Sequence, residues 1–103
     1  MDILDHDVRP FVSLEQMATY SARDRDTAAK YGPLVKAAEI SNRDYGYRYK
    51  KFSDERAMRP PPSAFMHIVL GYLVVRKLGT PDQYETWIPG HVFDDLYERA
   101  SEP

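Results

Sequence analysis

The 103 residues include no cysteine, which excludes disulfide frameworks, thiolate zinc sites, iron–sulfur clusters and cysteine nucleophiles together. A reducing compartment is compatible with that. Glycine is sparse, at positions 32, 46, 71, 79 and 90, so no glycine-rich loop is present to cradle a phosphate. Histidine is limited to His6, His67 and His91, without the spacings that hold zinc on a helix. Asp5-His6-Asp7 reads as a solvated stretch, so neither a metal nor a cofactor is expected. Long apolar runs are lacking too. The most apolar, Ala64 to Val75, includes His67 and falls well short of the ~20 residues that span a membrane. It reads as core, with no membrane partner. The opening Met1-Asp2-Ile3-Leu4-Asp5-His6-Asp7 is acidic, the opposite of a secretory or transit peptide.

Hydrophobic residues make up 43% and charged residues 29%, an ordinary globular balance for a chain long enough to form one domain. The net charge of −2 is unevenly spread: residues 1–20 carry −3, residues 21–59 carry +4, residues 60–81 carry +2 and residues 82–103 carry −5. A basic middle between acidic ends either marks an anionic partner or compensates itself once the ends fold back.

Ser13-Leu14-Glu15-Gln16 has the form of a capping box and predicts an N-terminal helix, with Leu14, Met17 and Ala18 on one face. Residues 1–12 before it read as loosely ordered. A second helical turn from Thr27 to Tyr31 should end at Gly32-Pro33. Leu34 to Ile40 reads as a strand. Asn42 to Phe52 reads two ways: a helix capped by Ser41 or Asn42 places Tyr45, Tyr49 and Phe52 together, whereas a strand groups Tyr45, Tyr47 and Tyr49. Pro60-Pro61-Pro62 must be extended, which makes residues 59–63 a connector. Beyond it, Gly71 to Arg76 and Gln83 to Ile88 read as a hairpin, with Trp87 covering one face. A final helix from His91 would bury Val92, Phe93, Leu96 and Tyr97. The expected fold is a single small α+β domain with an N-terminal helix, a mostly antiparallel sheet of about three strands and a C-terminal helix.

The pattern Gly71-Tyr72-Leu73-Val74, then Tyr84, Trp87, Pro89, Val92-Phe93 and Tyr97, resembles a group of small tailed-phage and prophage proteins of unassigned function. Leu34-Val35-Lys36-Ala37 and Ile40 to Tyr45 are similar to that group's upstream strand and Tyr-containing helix. The chain departs from it at Ile88-Pro89-Gly90-His91 and at the Pro60 to Phe65 insert, and the first 33 residues show no match. The resemblance implies a phage accessory context in the cytoplasm of a bacterial host, and no particular reaction.

No serine sits in a nucleophile elbow, and Asp94-Asp95, being neighbours, point in different directions on a helix. The expectation is a non-enzymatic protein that binds a host protein and blunts a host defence system. Asp82, Glu85, Asp94, Asp95, Glu98 and Glu102 would form an acidic contact face, with Trp87 beside it. An exposed Trp87 would need a cover, which leaves a homodimer open. The alternative is a single-stranded nucleic-acid-binding module, in which Tyr45, Tyr47 and Tyr49 stack on bases while Arg43, Arg48, Lys50 and Lys51 contact phosphates.

Overall fold

Ser13 opens a capping pattern, yet a single 3-10 turn over Leu14–Gln16 is all that follows. The Gln16 side-chain oxygen accepts from the Ser13 amide at 2.8 Å, while the Gln16 amide donates to the Ser13 carbonyl at 3.0 Å. The expected N-terminal helix is replaced by strand β1, Ala18–Ala22. Its residues explain why: Ala18, Tyr20 and Ala22 alternate with Thr19 and Ser21 at the period of a strand. The computed structural model describes residues 9–62 and 67–100, so Asp5-His6-Asp7 and Glu102 lie outside the described residues. Within the stretch read as loosely ordered, a 3-10 turn spans Arg9–Phe11 and Val12 is buried.

Helix α1, Arg25–Tyr31, is capped by the Asp24 carboxylate, which accepts from the Thr27 amide at 2.8 Å. It ends where expected, because Gly32 adopts a φ of 98° that a side chain would resist and Pro33 cannot extend the ladder. Strand β2 covers Leu34–Ser41. The two readings of the following segment resolve as helix α2, Asn42–Phe52, with the Ser41 hydroxyl accepting from the Asp44 amide at 3.1 Å. The strand grouping of Tyr45, Tyr47 and Tyr49 is thereby overturned: a capped start and a buried face at helical spacing outweigh the cost of Gly46.

Strands β3, Leu70–Arg76, and β4, Tyr84–Pro89, form the expected hairpin, with Leu73 opposite Trp87. Helix α3, Gly90–Leu96, is shorter than its sequence pattern suggests. Tyr97 leaves the helix to begin β5, Tyr97–Arg99, which pairs with β1. The sheet therefore has five antiparallel strands in the order β4-β3-β2-β1-β5, where about three were expected.

Both faces of the sheet are covered. On one, Ile40, Leu73, Val75 and Trp87 pack with Tyr45 of α2 and with Val12 and Met17. On the other, Val35, Ala37 and Val74 pack with Phe93 of α3 and Tyr97, and Phe93 stacks on Tyr72 with ring centroids 3.9 Å apart. The Trp87 indole lies against Gly71, where a Cβ would collide with the ring and with the Ile88 carbonyl oxygen. The connector is partly built into the sheet. The Arg59 amide donates to the Glu85 carbonyl at 2.8 Å and the Glu85 amide to the Ala57 carbonyl at 3.0 Å, which closes part of the β4 edge.

Candidate functional site

The apolar run that the sequence presents as core is divided by the lengths of its neighbours. β2 stops at Ser41, paired with Leu70, and β4 stops at Pro89, paired with Gly71. The chain before Leu70 therefore projects past both. Asn42 holds it there: its amide donates to the Val69 carbonyl at 3.0 Å, its side-chain oxygen accepts from the Val69 amide at 2.9 Å, and its side-chain nitrogen donates to the His67 carbonyl at 3.1 Å.

The projecting end is apolar and open to water. Ile68 is 60% exposed, Val69 41% and Leu70 59%, whereas Leu73, Val74 and Val75 a few residues later are fully buried. Strand alternation sends Leu70 to the face covered by α3 and Val69 to the face covered by α2. Val69 lines a groove of about 370 Å³ together with Asn42, Pro62, Trp87 and Pro89. His67, which lies within the run that the sequence reads as core, is exposed. Sequence reasoning missed Ile68 to Leu70 as surface residues. The available signal was Pro89-Gly90, which ends β4 too soon to cover them.

The acidic contact face drawn from the sequence is not brought together. Glu85 and Trp87 point toward α2, and both are buried. The Trp87 indole nitrogen donates to the Ile40 carbonyl at 2.9 Å, so Trp87 is a core residue and needs no cover from a second subunit. Asp94 and Asp95 are exposed on α3, over the opposite face of the sheet. Glu98 pairs with Arg23 at 3.3 Å on β5. Asp82 lies in the β3–β4 turn and lines a cavity of about 410 Å³, where Arg59 stacks over Tyr84 at 4.8 Å.

The nucleic-acid set divides as well. Arg48 and Tyr45 are buried, and Tyr49 is half-buried against the core. The Arg48 guanidinium donates to the Glu85 carboxylate at 2.7 and 3.4 Å and to the carbonyls of Pro10 and Val12 at 3.2 and 2.7 Å. Arg56 adds a third contact to Glu85 at 3.2 Å and stacks over Phe52 at 3.9 Å. Arg48 is thus a clamp between α2, β4 and the N-terminal segment, with no reach to solvent. The Tyr45 hydroxyl donates to the Arg59 carbonyl. Burial, and next the negative charge of Glu85, hold its pKa far above the usual phenol value. Arg43, Tyr47, Lys50 and Lys51 stand on the outer side of α2, exposed.

Among the described residues, no group of three or more His, Asp or Glu is placed to hold a metal ion, and no helix is long and apolar enough to cross a membrane. No protein-family model, curated protein or solved structure matches the chain.

Proposed function

We propose that the chain is a non-enzymatic binding protein whose contact surface is the projecting end of β3 and the groove beside it. The observation that carries this reading is the exposure of three consecutive large aliphatic side chains, Ile68 and Val69 just before β3 and Leu70 at its start, in a chain that buries Leu73, Val74 and Val75 of that strand. An exposed apolar patch beside an open groove is the ordinary mark of a surface that is covered by a partner. The phage and prophage resemblance of the C-terminal half supplies the context: an accessory protein in the bacterial cytoplasm, its partner a host protein, its effect the inhibition of a host defence component.

Capture from bacterial lysate with the wild-type chain and with Ile68→Asp and Leu70→Asp variants tests the reading. Both side chains are exposed, so the variants should keep the wild-type thermal midpoint, since surface substitutions usually change stability by less than about 0.5 kcal/mol. A single stoichiometric protein retained by the wild type and lost by both variants is the expected result. Retention of nothing by the wild type, or equal retention by the variants, overturns it. The nucleic-acid reading has lost Tyr45 and Arg48 to the core and is not favoured.

A further inference from the structure

The outer side of α2 carries Arg43, Tyr47 and Lys50 at i, i+4 and i+7, with Lys51 alongside. Their opposite numbers on the helix, Tyr45 and Arg48, are buried, so this stripe is the face turned furthest from the sheet. Tyr47 is 47% exposed, with cations at i−4, i+3 and i+4 around it. Lys51 is drawn toward the Phe11 and Phe52 rings at 5.5 and 5.8 Å. Among the described residues, the ion pairs are Arg23–Glu98, Arg48–Glu85 and Arg56–Glu85, and none of them uses Arg43 or Lys50. Of the six bases in residues 42–59, Arg48 and Arg56 are taken up by Glu85, which leaves Arg43, Lys50, Lys51 and Arg59 against Asp44, Asp54 and Glu55, whereas the exposed acids of α3, Asp94 and Asp95, lie across the sheet. The basic character is therefore local to the Arg43–Tyr47–Lys50 stripe and Lys51 beside it.

From this we infer that the partner of the groove presents an acidic protein segment, which runs from the groove onto the outer side of α2. The inference rests on the projecting strand end being a contact surface, and the continuity between the two is direct: Asn42 lines the groove and is the first residue of α2, and Arg43 follows it. Arg and Tyr at such a site supply charge-assisted hydrogen bonds and a rigid amphipathic contact. An acidic polypeptide fits better than a nucleic acid for two reasons. Only Tyr47 of the three candidate stacking rings is well exposed, and single-strand binders stack several bases in succession. The whole chain is also net negative at −2. A long polyanion would meet that repulsion, while a short segment feels mainly charges within the Debye length of about 8 Å.

Fluorescence anisotropy of the full chain tests the inference, with a labelled polyglutamate peptide and a labelled oligothymidylate of matched charge, each at low and at physiological salt. The peptide should bind at low salt and weaken as salt rises. The double variant Arg43→Glu with Lys50→Glu should weaken it about tenfold or more, and Arg43→Gln with Lys50→Gln by less. Tyr47→Ala should weaken it several-fold. No binding of the peptide at low salt, tighter binding of the oligothymidylate, or indifference to charge reversal each overturns the inference. Leu70→Asp separates this from the reading on which it rests. Loss of the captured host protein in Leu70→Asp, with peptide binding intact and sensitive to Arg43→Glu with Lys50→Glu, supports both. Retention of that protein by Leu70→Asp but not by the α2 charge-reversal variant would overturn the strand-end surface and, with it, the path from the groove, leaving the stripe on α2 as the contact.

Discussion

Arg48 shows how far a residue's place can lie from its type. It is the largest fully buried side chain among the described residues, and its charge is met by Glu85 while two carbonyls of the N-terminal segment accept further hydrogen bonds from it. Burying a guanidinium is costly unless it is paired and hydrogen-bonded, and here both conditions hold. Arg48→Met should therefore destabilise the domain by about 3–5 kcal/mol, the range for breaking a buried pair from one side. Urea unfolding followed by circular dichroism measures it, and a loss below about 1 kcal/mol would show that Glu85 is satisfied by Arg56 alone. The sequence could not announce this pair, because its members stand 37 residues apart. Each also sat in a tract of like charges that suggested a solvated surface: Arg48 with Lys50 and Lys51, Glu85 near Asp82. Trp87 was misjudged for a related reason. Its place on one face of the hairpin was legible from alternation, but which helix would cover that face was not.

At the scale of elements, the legible pieces were those with strong local chemistry. α1 ends at Gly32-Pro33, and the β3–β4 hairpin follows its alternation and turn residues. The missed pieces were short. β5 has three residues, and Tyr97 satisfies a helical spacing from Phe93 as well as it satisfies a strand. β1 was hidden behind the Ser13 capping signal, whose single 3-10 turn uses up the pattern before a helix can form. Exposure at Ile68 to Leu70 was signalled only from a distance, by Pro89-Gly90, because an apolar run does not itself report where its neighbours stop.

The cap of α1 makes a testable statement about acid. Hydrogen bonds from the Thr27 amide, and then from the Thr27 side chain, hold the Asp24 carboxyl below its ordinary value of 3.8. A carboxyl depressed in the fold contributes stability that is present above its unfolded pKa and is lost as pH falls through the folded one. Asp24→Asn keeps an acceptor at the cap but cannot titrate. Thermal midpoints recorded from neutral pH downward should therefore fall more steeply in the wild type than in Asp24→Asn once pH drops below about 4. Parallel curves would refute the assignment.

For the molecule as a whole, two cores share one sheet, and each is closed by tyrosine: Tyr45 on the α2 side and Tyr97 on the α3 side. Burial is the largest cause raising the pKa of both, so the fold prefers the neutral phenols. Such groups stabilise the fold fully below the unfolded value near 10.0 and withdraw that support as pH rises toward their folded values. In an alkaline titration, part of the phenolate absorbance should be withheld until the near-ultraviolet dichroism collapses. Complete ionisation with that signal intact would mean that the rings are reachable by hydroxide in the folded state.

The sheet order also sets a timetable. β1 is flanked by β2 on one side and by β5 on the other, and Tyr20 meets Arg99 across about three quarters of the 103 residues. Pairings so remote in sequence are the slow ones to form. On a ribosome, which extends a chain at ~5–20 residues per second, β1 emerges among the first elements and must wait with one edge unpaired until Tyr97 to Arg99 clear the exit tunnel. A chain released short of Tyr97 would carry β2, β3 and β4 able to associate, and beside them a bare edge of β1 open to any other extended polypeptide.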